Sequence, residues 1–209
     1  MWNAANSSSI KQQVTIAIID TGVNTELPSL ASSIWKNNSE IPYNNRDDDH
    51  NGYVDDVCGW NFVQNNNNPS SYDFFPGEIE HGTRIVEILS SAHGKATIWG
   101  IATNPDINIM PLKVGSCNND GNIRISAEAV VRAIKYAENN GANICNISLN
   151  SSIDYPRMRN YIKNSKMLFV VSAGNKRYRN DLSIYPSYPA VYQFENLITV
   201  GNLTSMNTH

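Results

Sequence analysis

Short apolar runs recur along the chain, separated by helical or polar segments. The runs cover residues 14–19, 107–114, 144–149, 168–171 and 197–200. Unbroken apolar runs of this length are typical of strands that are buried on both faces, as in parallel sheets. Their alternation with helical segments predicts an α/β fold, and the length of the chain predicts a single domain over residues 1–209.

Helical periodicity is clearest between the second and third of these runs. Apolar residues recur there at steps of three or four positions, with charged residues between them, at Ile123, Ala127, Val130, Ile134 and Ala137. This spacing predicts an amphipathic crossover helix that Gly141 terminates. A shorter helix is expected over residues 155–165.

Residues 34–68 form a long polar segment rich in Asn, Asp and Tyr. Within it, oxygen-bearing side chains alternate ahead of a glycine, as they do in calcium-binding loops. The expected ligands are Asp47, Asp49, Asn51, Tyr53 and Asp55. Cys58 stands where a helix-loop-helix calcium site has glutamate, so Asp55 or Asp56 would have to complete the shell. We expect a structural calcium ion here, and the alternative is a solvated acidic turn.

The composition is that of an ordinary globular protein and narrows the range of partners. Hydrophobic residues make up 41% of the 209 positions, and the net charge of −3 offers no basic face for nucleic acid or for an anionic membrane. The chain does not start with a signal peptide, so we expect a cytoplasmic protein, or a secreted one if a leader was removed. Cys58, Cys117 and Cys145 are odd in number and widely spaced, which favours free thiols over disulfides or a zinc site.

Three polar residues can carry chemistry. Asp20 ends the first apolar run, at the edge where parallel sheets place functional groups. Taken alone, it can equally cap a turn or belong to an aspartic peptidase, but that class needs a second Asp-Thr-Gly or Asp-Ser-Gly and none occurs here. His81 opens a helical segment, where an imidazole can exchange a proton near neutral pH or merely bond within a turn. Asn175 follows the fourth run, where its amide can stabilise an oxyanion or simply end a strand.

Together and in this order, the motifs around these residues resemble the subtilisin-like serine peptidases (subtilases, peptidase family S8). Residues 20–22 (Asp-Thr-Gly), 81–83 (His-Gly-Thr) and 172–175 (Ser-Ala-Gly-Asn) are similar to that family's aspartate, histidine and oxyanion-asparagine blocks. Further similarity lies at residues 100–102, 110–114, 146–149, 188–190 and 198–201. The resemblance implies a doubly wound, mostly parallel sheet flanked by helices.

The resemblance also implies a role for each motif. His81 would act as the general base, Asp20 would orient and stabilise its imidazole, and Asn175 would donate to the oxyanion. A peptide or protein substrate would lie against Ser148, Leu149, Ser172, Ala173 and Gly174. The implied function is that of a serine endopeptidase, which hydrolyses peptide bonds in proteins.

The nucleophilic serine of that family has no clear counterpart. It lies in a Gly-Thr-Ser-x-Ala block downstream of the segment matched by residues 198–201, and Ser205 follows Thr204 but has Leu203 in place of the glycine. We therefore expect an incomplete domain, lacking the C-terminal serine-bearing portion, that is inactive and marginally stable unless a missing C-terminal segment completes it. The alternative is a non-catalytic protein that binds peptide or calcium on the same fold.

Other positions depart from the family pattern. Arg84 replaces a second histidine, Glu87 replaces a small residue in the same helical segment, and Asn150 follows Leu149 where the family has glycine. These changes fit either relaxed constraint or an unusual substrate.

Overall fold

The computed structural model describes residues 13–70, 81–91, 100–102, 107–117, 123–175 and 181–202. The strands in these ranges are β1 (Val14–Asp20), β2 (Trp60–Asn61), β3 (Ile107–Lys113), β4 (Gly115–Cys117), β5 (Ile123–Ile125), β6 (Ile144–Ile147), β7 (Leu168–Ser172) and β8 (Leu197–Val200). The helices are α1 (His81–Ser90), α2 (Ala127–Asn139) and α3 (Pro156–Asn164). A strand is present at each of the five predicted apolar runs.

Six of the strands form one parallel sheet in the order β2-β3-β1-β6-β7-β8. β1 pairs along its whole length with β3, from Val14 opposite Ile107 to Asp20 opposite Lys113. Its other neighbour is β6, which comes later still in the chain. The chain therefore builds the sheet outward on both sides of β1, which confirms the predicted doubly wound α/β class.

The core lies on both faces of the sheet, because successive side chains of a strand point to opposite sides. Ala17 and Ile19 of β1 belong to the larger apolar cluster, which contains side chains of α2 and α3. Ile16 and Ile18 belong to a smaller cluster with Val86 of α1. β1 is thus buried between two layers, which explains why its sequence is apolar without alternation.

Helix α2 begins later than the apolar periodicity predicts. Ser126 is extended, and its side chain accepts a hydrogen bond from the Ala129 N–H, so it caps the helix. Ile123 therefore lies outside α2, in the exposed strand β5, where it pairs with Cys117 of β4. The prediction of Ile123 as a helical residue is wrong because a capping residue interrupts the apolar spacing.

The C-terminal end of α2 is formed by Gly141, as predicted. Gly141 has a φ of +76°, which glycine adopts without steric cost. The N–H of Ala142 donates to the Ala137 carbonyl at 2.9 Å, and that of Gly141 donates to the Glu138 carbonyl at 3.2 Å. These two bonds form a Schellman motif. The shorter helix α3 also confirms its prediction, and it begins with Pro156 in its first turn.

The cysteines are free thiols where the structure describes them, as predicted. Cys58 is half-buried and Cys145 is buried, while the side chain of Cys117 lies outside the described structure. Ser205 also lies outside it, within residues 203–209. Among the helices of the described ranges, none has the length and apolar character needed to cross a bilayer.

Candidate active site

The predicted site residues lie along one edge of the sheet. Because all six strands are parallel, their carboxyl ends meet at that edge, where α/β proteins bind their ligands. Asp20 ends β1, Ser148 follows β6 and Ser172 ends β7. β6 lies between β1 and β7, so the expected substrate-binding segments are next to the expected acid.

The structure brings Asp20 and His81 together, although 61 positions separate them in the chain. Nδ1 of His81 lies 2.9 Å from Oδ1 and 3.0 Å from Oδ2 of Asp20. A carboxylate can only accept hydrogen bonds, so Nδ1 carries the proton and Nε2 is left to accept another. The Asp20 side chain is fully buried, whereas 52% of the His81 side chain is exposed. A buried acid thus holds a base that is open to a ligand.

The charges around His81 set its basicity. The hydrogen bond to Asp20 raises the pKa of His81 above its ordinary value, while partial burial and the Arg84 guanidinium oppose this rise. Because the carboxylate favours the imidazolium, His81 is a stronger base than a histidine in water.

The His-Gly-Thr motif places the start of α1 against the end of β1. A Cβ atom on Gly82 would lie 2.3 Å from the carbonyl oxygen of Gly22, so only glycine allows the two segments to approach this closely. The Thr83 hydroxyl accepts a hydrogen bond of 2.9 Å from the Asn24 N–H. Each residue of the motif therefore has a physical role in carrying His81 to the carboxyl end of β1.

The Asp-Thr-Gly motif holds the acid in place. The N–H and the hydroxyl of Thr21 donate to Oδ1 of Asp20, at 2.7 and 3.1 Å. Gly22 has a φ of +118°, and a Cβ atom there would lie 2.9 Å from the Ser70 carbonyl oxygen. The carboxylate that bonds to this turn also bonds to His81, so the turn fixes the position of the group that contacts the imidazole.

Sequence reasoning missed Lys113, which lies opposite Asp20 in the register of β3 and β1. Only 1% of this lysine is exposed, and its ammonium donates to the Ser70 carbonyl at 2.9 Å. Because that carbonyl packs against Gly22, Lys113 secures the chain segment that covers the Asp20 turn. The sequence did contain a signal for this residue, because Lys113 is a single cation near the end of an apolar run. A lysine in a buried strand is almost always paired, so its position indicates a partner.

The expected substrate-binding residues form two short extensions of the sheet. They are half-buried: Ser148 and Leu149 after β6, and Ser172, Ala173 and Gly174 at the end of β7. Asn175 follows the second extension and is exposed, so its side chain is open to a ligand. It lies two strands away from Asp20, across β6, on the same edge of the sheet.

An apolar pocket of about 390 Å³ adjoins the first extension. Its lining is mainly apolar and includes Ile125, Val130, Ile147, Leu149, Met158 and Pro189. Next to Pro189, Tyr188 exchanges two backbone hydrogen bonds with Ser151, at 2.8 and 2.9 Å. A pocket of this size and lining can take an apolar side chain of a peptide.

In the loop of residues 34–68, the structure groups three carboxyl groups that we call the acidic cluster. Oxygen atoms of Glu40, Asp49 and Asp56 lie within 4.8 Å of one another. Asp49 was among the predicted calcium ligands, and Asp56 was considered only as a substitute for Asp55. Glu40 was missed, because it lies outside the alternating pattern that suggested the site.

The other predicted ligands have different surroundings. Asp47 and Asp55 each accept two hydrogen bonds from backbone N–H groups of the loop, at 2.8 to 3.2 Å. The Tyr53 ring packs edge-on among neighbouring aromatic rings. Asn51 remains beside the acidic cluster and donates its amide to two of its carboxyl groups, at 3.2 and 3.0 Å.

Two of the three residues of the acidic cluster are buried, and the third, Asp49, is half-buried. Glu40 and Asp56 are 6% and 0% exposed, and burial raises the pKa of both carboxyl groups. Oε2 of Glu40 is buried and has no hydrogen-bond partner among the described residues. The Tyr136 hydroxyl and the amides of Asn37 and Asn51 donate to Asp56. A largely buried group of carboxyl oxygens suits a hard cation such as calcium.

Known proteins share this sequence pattern. The model of the subtilase family matches residues 11–209. Subtilisin-like protease 1 of Plasmodium berghei is 30% identical over 203 residues, which cover 90% of this chain and 32% of that protein. Thermitase of Thermoactinomyces vulgaris is 28% identical over 205 residues, which cover 96% of this chain and 57% of that protein. The chain therefore spans less than two thirds of the length of either relative.

Two solved structures share the fold. A lanthipeptide protease aligns with a TM-score of 0.58 at 23% identity, covering 93% of this chain and 50% of its own. Fervidolysin from Fervidobacterium pennivorans, a keratinolytic enzyme related to subtilisin, aligns with a TM-score of 0.59 at 21% identity, covering 87% and 23%. The parallel sheet with flanking helices is thus the subtilisin-like fold. With its family match spanning residues 11–209, the chain belongs to the subtilase family.

Proposed function

We propose that this chain supplies the acid, the base and the oxyanion donor of a serine endopeptidase that hydrolyses peptide bonds in proteins. The hydrogen-bonded pair of buried Asp20 and open His81 is the observation that carries the proposal. A carboxylate that fixes Nδ1 leaves Nε2 as a base, which is what a serine nucleophile needs. The names of the relatives, which are proteases, support the same reaction.

Catalysis begins when Nε2 of His81 takes the proton of a serine hydroxyl, and the serine oxygen attacks the carbonyl carbon of the scissile peptide bond. The Asn175 amide donates to the resulting oxyanion, and removing such a donor costs about 3–4 kcal/mol of transition-state stabilisation. His81 then gives its proton to the leaving amine as the C–N bond breaks. A water molecule repeats these steps on the acyl-enzyme and releases the second product.

The serine in this scheme belongs to a Gly-Thr-Ser-x-Ala segment that completes the domain. Such a segment does not occur within residues 1–209. The relatives are longer than their match to this chain, which covers 32% of one and 57% of the other, so they contain further sequence.

The substrate lies between the extensions of β6 and β7, where Ser148 and Ser172 to Gly174 present backbone groups to an extended peptide. Leu149 borders the apolar pocket, which takes an apolar substrate side chain. Two half-buried strand extensions next to one apolar pocket provide both main-chain pairing and side-chain selection.

We also propose that the acidic cluster binds a structural calcium ion. Its three carboxyl groups lie close together, and the buried Oε2 of Glu40 lacks a partner among the described residues. Asn37 and Asn51 donate amide N–H groups to the cluster, and rotation of either amide would present its oxygen to a cation instead. A bound calcium ion would compensate the buried negative charge of these carboxyl groups.

Active-site labelling tests the proposed enzyme. The chain is expressed alone and with any coding sequence that continues in frame, and each product is treated with a fluorophosphonate, which labels activated serines. We expect labelling and peptidase activity in the completed protein, and loss of both in His81→Ala. His50→Asn is the matched control, because His50 is exposed and has a φ of +59°, which asparagine tolerates. A completed, folded protein that takes no label would favour the non-catalytic peptide- or calcium-binding function.

A further inference from the structure

The turn that follows β1 packs against the backbone of residues 69–70. A Cβ atom on Gly22 would lie 2.9 Å from the Ser70 carbonyl oxygen and 3.0 Å from the Pro69 carbonyl oxygen. The N–H of Val23 donates to the Pro69 carbonyl at 3.0 Å. Because these contacts join main-chain atoms at close range, one segment cannot shift without moving the other.

The same turn also contacts the start of α1. A Cβ atom on Gly82, the residue after His81, would lie 2.3 Å from the Gly22 carbonyl oxygen and 3.1 Å from Cβ of Asp20. A movement of the turn therefore changes the position of Asp20 relative to His81. The hydrogen bond between these two side chains is sensitive to such a change, because it weakens as its length and angle depart from the optimum.

Lys113 holds residues 69–70 from the neighbouring strand β3. Its ammonium donates to the Ser70 carbonyl at 2.9 Å, and this is the carbonyl that lies nearest to the Cβ position of Gly22. Only 1% of Lys113 is exposed, so water does not compete with the ammonium for this carbonyl. Removing a charged lysine from water is costly, and the bond to a fixed backbone acceptor offsets part of that cost. Lys113 thus secures the segment against which the turn of β1 packs.

We propose that Lys113 is a positioning residue for the general base, which it serves by holding Asp20 at hydrogen-bonding distance from His81 through Ser70 and the turn at Gly22. This inference rests on the proposed function, because it concerns the pair that would activate a serine. An apolar side chain at position 113 would fill the buried space but would not donate to the Ser70 carbonyl. Residues 69–70 and the turn could then move away from α1.

The pKa of His81 separates this role from two others. The hydrogen bond to Asp20 raises the His81 pKa, and burial and the Arg84 guanidinium oppose the rise. If Lys113 acts through the backbone, its loss weakens that hydrogen bond and lowers the His81 pKa. If Lys113 acts on His81 as a nearby cation, its loss raises the His81 pKa instead. If Lys113 only stabilises the fold, the His81 pKa of the folded protein does not change.

NMR titration of the His81 ring in the 209-residue chain tests the inference without requiring a serine nucleophile. We expect Lys113→Met, which removes the ammonium and keeps an unbranched side chain, to lower the His81 pKa. The new value should lie between those of the unchanged chain and Asp20→Asn. Arg132→Met is the matched control, because Arg132 of α2 also donates to a backbone carbonyl, that of Phe62, at 2.6 Å. It should lower the thermal midpoint and leave the His81 pKa unchanged.

An unchanged or raised His81 pKa in folded Lys113→Met would overturn the inference. If that variant does not fold, Lys113→Gln replaces it in the titration. Its amide nitrogen is one bond closer to the backbone than the ammonium, so it should lower the His81 pKa by a smaller amount. If neither variant folds, Lys113 serves the fold as a whole and the inference is overturned.

Kinetics of the completed enzyme give a second readout. Lys113→Met should lower kcat about 100-fold with little change in KM, because a small displacement of the catalytic groups has an effect of this size. A kcat within twofold of the unchanged enzyme would overturn the inference. If the completed protein takes no fluorophosphonate label, the proposed function fails, whereas the His81 titration still shows whether Lys113 positions Asp20.

Discussion

The two polar sites of this protein are built in different ways. The Asp20–His81 pair stands on a strand end and a helix start, whose approach depends on a glycine at position 82. The acidic cluster stands on turns within residues 34–68, where carboxyl groups also serve as acceptors for the backbone. The order of the motifs predicted the Asp20–His81 pair. The spacing of polar residues in the loop predicted only Asp49 of the three clustered residues as a ligand, with Asp56 as an alternative to Asp55. At the end of a strand or helix, a polar side chain has few possible hydrogen-bond partners. In an irregular loop it has many, because backbone N–H groups are free to bond to side chains there.

The largest expected effect comes from removing the acid while keeping its shape. In the enzyme completed by its serine, Asp20→Asn should lower kcat by about 10⁴-fold, because the amide favours the wrong tautomer of His81. Steady-state kinetics on a peptide substrate measure this loss. Asp181→Asn, at an exposed aspartate, should change kcat little. A loss of less than tenfold in Asp20→Asn would mean that the pair is structural.

The next effect tests whether backbone approach, rather than side-chain chemistry, builds the pair. Gly82→Ala places a methyl group 2.3 Å from the Gly22 carbonyl, so α1 must shift away from β1. We expect a loss of about 3 kcal/mol in the free energy of unfolding, measured by urea denaturation. The control is Gly201→Ala, since a Cβ atom there meets nothing within 4 Å. Equal stability of the two variants would contradict the close contact.

If the acidic cluster binds calcium, the ion should raise the thermal midpoint of the protein. At a calcium concentration one hundred times its Kd, a single site stabilises a protein by about 2.7 kcal/mol, which raises the thermal midpoint. Asp56→Asn and Glu40→Gln should abolish this rise, whereas Asp47→Asn should retain it, because Asp47 bonds to backbone N–H groups. If Asp47→Asn abolishes the rise and Glu40→Gln does not, calcium binds to the ligands predicted from the spacing in the loop and not to the acidic cluster.

The smallest effect concerns the basicity of His81, followed by NMR titration of its ring nitrogens. Arg84→Gln removes a cation and should raise the pKa of His81, while Asp20→Asn should lower it by a larger amount. Because the folded pKa exceeds the unfolded value of about 6.5, the pair adds stability below that pH and loses it as pH rises through the folded pKa. The ring is half-exposed, so this contribution is small. A pKa that stays constant in both variants would contradict the assigned electrostatics.

How far the sequence predicts this protein depends on the range of the interactions involved. The apolar run of β1 predicts its strand because burial on both faces requires an unbroken run. The run of β8 also predicts a strand, although Ile198 and Val200 are 50% and 52% exposed there. Gly141 predicts the end of α2 because few other residues adopt its φ. The predicted start of α2 is wrong, because the apolar spacing continues back to Ile123 whereas the Ser126 cap begins the helix at Ala127. The position of Lys113 at the end of an apolar run marks it as unusual, but its partner Ser70 is 43 positions away and is not predicted by any local pattern.

The central position of β1 also affects how the chain is made. It is the first of the described strands to leave the ribosome, yet its neighbours β3 and β6 begin only at Ile107 and Ile144. At about 5–20 residues per second, its apolar side chains wait on the order of 5–20 s for their first partner. During that interval its backbone is open to pairing with other nascent chains. The strand that carries Asp20 is therefore exposed to aggregation until the sheet around it has been synthesised.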